Sequence, residues 1–92
     1  MNLDLTNRRA LVSGSTAGIG KAIAVELASM GASITLLARN EDKLKTVLSE
    51  LPSNSKQTHE YIVADFSQTA QVRQAIENYL AGGKTINILI NN

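Results

Sequence analysis

Three glycines in seven residues, Gly14-Ser15-Thr16-Ala17-Gly18-Ile19-Gly20, constrain this chain more than any other feature. They follow a short apolar run, Arg9-Ala10-Leu11-Val12-Ser13, which reads as a buried strand. Beyond them the period turns helical. Ile19, Ile23, Leu27 and Met30 recur at spacings of four, four and three, an apolar stripe along one helix face. Gly31 stands where a helix C-terminal glycine belongs. A strand that turns through glycines into a helix sets backbone N–H groups beside the positive end of the helix dipole, which makes an anion site. Glycine suits such a turn because a Cβ would hold a phosphate away and because positive φ is often required. Taken alone, the same glycines could form only a tight turn with close helix–strand packing.

The rest of the chain repeats the strand–helix period. Ser33 to Ala38 has almost no polar face, the pattern of a strand covered on both sides in a parallel sheet. A second helix is expected from about Asn40 to Leu51, with Leu44, Val47, Leu48 and Leu51 on one face. Asn40 can cap it, Glu41 and Asp42 suit its positive end, and Pro52 stops it. Pro52 to Thr58 is a polar loop. Tyr61-Ile62-Val63-Ala64 reads as a third strand closed by Asp65. Ser67 can cap a third helix carrying Val72, Ile76, Tyr79 and Leu80, which ends at Gly82-Gly83. Ile86 to Ile90 reads as a fourth strand, before Asn91-Asn92. The order β-α-β-α-β-α-β predicts an α/β fold, a parallel sheet joined by right-handed crossovers. In a dinucleotide fold these strands would lie in the order 3-2-1-4, the first half of a Rossmann-type doubly wound sheet.

Composition narrows the function. The 92 residues suit one domain or part of one. Nine Lys and Arg against eight Asp and Glu, with no block of like charge, leave no general nucleic-acid footprint or polybasic membrane anchor. No stretch approaches the ~20 apolar residues of a membrane-spanning helix, and the N-terminus lacks the apolar core of a signal peptide. The chain reads as cytoplasmic and soluble. Cysteine is absent, and a single histidine, His59, cannot build a zinc site, so no metal site is expected. His59 and the Lys43/Lys45 pair read as ordinary surface residues.

Two common phosphate loops do not match. A Walker A loop needs G-x-x-x-x-G-K-[ST]. Here Gly14 to Gly20-Lys21 spans one residue too many, and Ala22 stands where the hydroxyl should be. The G-x-G-x-x-G fingerprint fails on spacing. Ser13-Gly14-Ser15-Thr16-Ala17-Gly18-Ile19-Gly20 instead resembles the T-G-x-x-x-G-I-G motif of the short-chain dehydrogenase/reductase family, with Ser13 replacing the usual Thr. Asp65 matches the family's acidic residue near the adenine, and Asn91-Asn92 the start of its N-N-A-G motif.

The resemblance implies that Gly14, Ser15, Thr16, Gly18, Ile19 and Gly20 serve the pyrophosphate and adenosine-ribose end of a nicotinamide cofactor. It implies Asp65 at the adenine amino group with the Phe66 backbone alongside, and Asn92 by the nicotinamide-side ribose. Arg39 follows the second strand, 19 residues beyond Gly20, where dinucleotide folds read the adenosine ribose. An acid there suits the 2′-hydroxyl of NAD; an arginine offers a charged fork to the 2′-phosphate of NADP. Leu37-Ala38-Arg39-Asn40 is similar to NADP-preferring members of the family, such as tropinone reductases and 3-oxoacyl-carrier-protein reductases. The expected cofactor is therefore NADP rather than NAD.

The family's chemistry belongs to a Ser–Tyr–Lys set with a supporting Asn, all beyond the N-N-A-G segment, so no catalytic residue is assigned here. Tyr61 and Tyr79 are not in a Y-x-x-x-K arrangement, since Asp65 and Gly83 stand four residues on. Residues 1–92 are thus expected to be the cofactor-binding half of an oxidoreductase, inactive alone. Its substrate would be a small carbonyl or alcohol, and the full protein a homo-oligomer. Two other readings stand beside this one. A half-Rossmann module could bind a nucleotide or a partner without catalysis. A methyltransferase would want acids just before the glycine loop and ending the second strand, where Val12-Ser13 and Arg39 stand.

Overall fold

Apolar runs without a polar face need cover on both sides, and the computed structural model supplies it. It describes residues 4–14, 18–65, 67–83 and 85–91. Strand β1 (Arg9–Ser13) is followed by helix α1 (Gly18–Ser29), β2 (Ser33–Ala38), α2 (Glu41–Glu50), β3 (Glu60–Val63), α3 (Thr69–Ala81) and β4 (Ile88–Asn91). The four strands form one sheet in the order β3-β2-β1-β4, every pair parallel, as the α/β reading expects. Pairing sets Leu11 beside Thr35 and Leu89, and Val12 beside Leu36 and Ile90.

Side chains alternate across a strand, so the central strands feed two cores. Ala10, Val12, Ile34 and Leu36 pack with Ala24 and Ala28 of α1 and with Leu44 and Val47 of α2. Leu11 and Leu37 point the other way, with Ala64, and meet Val72, Ala75 and Ile76 of α3. Right-handed crossovers require this division, because the chain steps β1-β2-β3 in one direction and returns past β1 to β4.

Helix α1 differs from expectation. Its buried residues are Gly20, Ala24 and Ala28, also four apart, and not the stripe of Ile19, Ile23, Leu27 and Met30. Ile19 is 70% exposed, while Leu27 packs at the margin of the core. Small residues on the sheet side let the helix backbone lie close to the strands, and the large ones are displaced to the flanks.

Helix α2 behaves as read. The Asn40 carboxamide oxygen accepts from the Lys43 N–H at 3.1 Å, and Leu44, Val47 and Leu51 are buried. Helix α3 corrects a second expectation, since Ser67 does not cap it. The helix starts at Thr69, and Gln68 occupies the cap position with no side-chain cap bond. None of its residues is fully buried. The Tyr79 hydroxyl instead bonds Thr35 Oγ1 at 2.8 Å, and Arg9 Nη1 donates to the same oxygen at 3.0 Å. Thr35 is wholly buried, and these bonds satisfy its hydroxyl.

Two strand boundaries shift for hydrogen-bonding reasons. β4 begins at Ile88 rather than Ile86, because Asn87 meets β1 partly through its side chain: its N–H donates to Arg9 O and its Oδ1 accepts from Arg9 N, both at 2.9 Å. β3 begins at Glu60, and His59 just before it is not an idle surface residue. Its Nδ1 accepts the Ile34 N–H at 3.0 Å, and its Nε2 lies 2.7 Å from the Pro52 carbonyl oxygen. The imidazole thus adds a rung to the ladder where β3 has not yet started. Lys43 and Lys45 are exposed, as expected. Among the described residues, no helix is long and apolar enough to cross a membrane.

Candidate functional site

A parallel sheet collects the C-terminal ends of its strands on one edge, and ligands bind where the strand order reverses. Here that reversal lies between β2-β1 and β4. Along this edge a cleft of about 360 Å³ is lined by Gly14, Ala38, Arg39, Asp65 and Ser67. Gly14 follows β1, Ala38 and Arg39 end and follow β2, and Asp65 lies just past β3, so residues far apart in sequence share one opening. Ser13 closes the neighbouring seam: buried at the end of β1, it donates from Oγ to the Ile90 carbonyl at 3.2 Å.

The glycines have separate reasons. Gly14 holds φ +65°, in the left-handed region that favours glycine, and its N–H donates to Leu37 O at 3.0 Å. That N–H is therefore committed to the sheet, so any anion contact at Gly14 must come from elsewhere on the loop. Gly18 holds φ +60°, and a Cβ there would meet nothing within 4 Å. Its requirement is a backbone one, with open space above it. Gly20 is buried and begins the small-residue row of α1. Ile19, between them, is exposed at the first turn of the helix. Ser15, Thr16, Phe66 and Asn92 lie outside the described residues.

Arg39 is exposed one residue beyond β2, with its charge facing the cleft. Opposite it, Asp65 is pinned on two sides. Its Oδ1 accepts from the Ser67 N–H at 2.9 Å and from the Ser67 hydroxyl at 2.8 Å. Its own N–H donates to Gln71 Oε1 at 2.9 Å. Hydrogen bonds from the Ser67 backbone and side chain hold the Asp65 carboxyl below the usual carboxylate range, against desolvation and with a smaller pull from the Arg39 charge. The cleft therefore offers a permanent cation and a carboxylate kept ionised. Sequence reasoning missed Ser67 and Gln71 as parts of this site. The signal was present, because a serine two residues after an aspartate is the pattern of a local side-chain turn.

The chain matches known proteins over nearly its whole length. The profile of the short chain dehydrogenase family matches residues 8–92. The chain is 46% identical over 85 residues to the human inactive hydroxysteroid dehydrogenase-like protein 1, covering 92% of this chain and 26% of that protein. It is 42% identical over 83 residues to the human very-long-chain 3-oxoacyl-CoA reductase, covering 90% of this chain and 26% of that one. Among solved structures, L-sorbose reductase from Gluconobacter frateurii, complexed with NADPH and L-sorbose, superposes with a TM-score of 0.86 at 29% identity, over 100% of this chain and 35% of that one. A metagenomic short-chain oxidoreductase in complex with NADP gives 0.82 at 32% identity, over 100% of this chain and 40% of that one. The chain spans about a quarter of the length of these curated relatives. Motif and sheet order agree with that match, and the chain belongs to the short chain dehydrogenase family.

Proposed function

We propose that residues 1–92 form a partial Rossmann domain, the NADP(H)-binding half of an oxidoreductase acting on a small carbonyl or alcohol substrate, in a protein that assembles with copies of itself. The observation that carries the cofactor choice is Arg39, an exposed guanidinium directly after β2, beside the cleft it shares with Gly14 and Asp65. The NADPH and NADP bound by two structural neighbours support the same choice.

The residues present fit such a group. Open space over Gly18 admits a phosphate that a side chain would exclude, and Arg39 and Asp65 offer a cation and an acceptor at the same edge. In this reading Gly14, Ser15, Thr16, Gly18, Ile19 and Gly20 take the pyrophosphate and the adenosine ribose. Arg39 takes the 2′-phosphate, and Asp65 accepts from the adenine amino group with the Phe66 backbone alongside. Asn92 stands by the nicotinamide-side ribose. When bound, the nicotinamide supplies or receives the hydride. The chain's own part is to bind and orient, with Arg39 neutralising charge at one end and the helix α1 dipole at the other.

The test is binding of NADPH and NADH by the full chain, before and after Arg39→Asp. A charge-assisted contact of about 1.5–3 kcal/mol predicts a preference for NADPH on the order of 10- to 100-fold, reversed by the substitution. Equal affinities that the substitution leaves unchanged remove Arg39 from the site. Binding is the right readout because the 46%-identical human relative bears the name "inactive". That name favours a second reading, nucleotide binding without catalysis. Residues 1–92 are expected to be inactive in either case. Tight NADPH binding with no turnover of any carbonyl or alcohol would therefore select it only when measured on a protein that joins this half to a catalytic half.

A further inference from the structure

In the turn after β3, one oxygen of the Asp65 carboxylate is saturated and the other is not. Oδ1 carries both bonds from Ser67. Among the described residues, Oδ2 takes part in no hydrogen bond, and Asp65 lines the cleft. A carboxylate on a free rotor would present either oxygen in many directions. Here the Ser67 hydroxyl and N–H fix which oxygen is spent, while Gln71 holds the backbone N–H of the same residue. The side chain is therefore ordered before any ligand arrives, and little rotamer freedom remains to be lost on binding. A helix-capping role does not account for this geometry, because Ser67 makes no cap bond to α3.

Resting on the reading of Asp65 as the acceptor for the adenine amino group, we propose that Ser67 is a positioning residue that sets the purine specificity of the cleft. By occupying Oδ1, it aims Oδ2 at a hydrogen-bond donor. Adenine presents an amino group at that position of the ring; hypoxanthine presents a carbonyl, which a fixed carboxylate repels. Discrimination between two bases thus depends on a serine that touches neither.

The experiment compares NADPH with its hypoxanthine analogue, measured as Kd by nicotinamide fluorescence on the full chain and on Asp65→Ala, Ser67→Ala and Ser67→Thr. Loss of one orienting hydrogen bond predicts that Ser67→Ala lowers the adenine preference roughly fivefold. Ser67→Thr, which keeps the hydroxyl, retains the preference, and Asp65→Ala abolishes it. A second readout is the Asp65 carboxyl titration by NMR, which moves upward in Ser67→Ala and stays in Ser67→Thr. If Asp65→Ala loses the preference and Ser67→Ala keeps it, the positioning role is overturned while the site reading stands. Equal weakening of both ligands in Ser67→Ala, or equal loss in the Ala and Thr variants, also overturns it. If Asp65→Ala keeps the preference, the reading of Asp65 falls and the inference with it.

Discussion

Replacing His59 by alanine tests how the sheet is fastened below the cleft. The Ile34 N–H donates to His59 Nδ1 at 3.0 Å, and Ile34 is 0% exposed, so no water reaches that amide in the folded chain. Alanine leaves it without an acceptor, a penalty of about 1–3 kcal/mol for a buried donor. The second bond, from Nε2 to Pro52 O, adds little, because Pro52 is exposed and its carbonyl can turn to water. A net loss of about 2 kcal/mol lowers Tm by roughly 10 °C in a domain of this size. Hydrogen exchange gives a second readout: the Ile34 amide, with the other β2 amides that open only when the whole fold opens, should exchange about 30-fold faster. His59→Phe separates the causes, since it keeps the bulk and removes the acceptor. It should lose as much as alanine. A phenylalanine variant of full stability, or Ile34 exchange unchanged in both variants, would refute the reasoning.

Two further outcomes follow from the packing and the charges. Ala24→Leu places three extra carbons between α1 and the sheet where Ala24 is wholly buried, and should cost about 1–3 kcal/mol in urea unfolding. A variant within about 0.5 kcal/mol of the parent would show that α1 does not lie as closely as its small-residue row implies. The carboxyls of Asp65 and Asp4 sit below the ordinary value of 3.8, through hydrogen bonds from Ser67 and Thr6 respectively. A depressed carboxyl stabilises the fold above that value, and the contribution is lost as pH falls below it through the folded pKa. Ser67→Ala should therefore show a shallower acid loss of stability than the parent between about pH 4.5 and 2.5, with urea midpoints as the measure. Parallel acid limbs would contradict it.

What the sequence revealed was what its signals encode locally or by order along the chain. The bounds of β1 and β2 follow from apolar runs, the Asn40 cap from cap chemistry, and the order 3-2-1-4 from the dinucleotide-fold pattern. Gly14 and Arg39 were legible as candidate site residues from the glycine loop and the dinucleotide-fold pattern, and Asp65 from the family resemblance; a parallel sheet gathers such strand-end positions into one cleft. Helix α1 was misjudged because two apolar rows run along it four residues apart. Size, rather than hydrophobicity, decides which row faces a sheet. Ser67 has two local uses, and only geometry shows that Asp65 takes both of its donors. His59 was opaque for a different reason, since its partner Ile34 lies 25 residues away and belongs to another strand.

The end of β2 has a consequence for how such a chain changes over generations. Ala38 is 6% exposed and belongs to the core, while Arg39, the next residue, is exposed and borders the cleft. A single peptide bond separates a position whose substitution disturbs the packing from one whose substitution changes the charge that borders the cleft and faces Asp65. Inheritance can therefore exchange arginine for an acid at position 39 without first acquiring a compensating change in the packing. Where Arg39 chooses the ligand, as proposed above, that choice can change while the packing stays as it is.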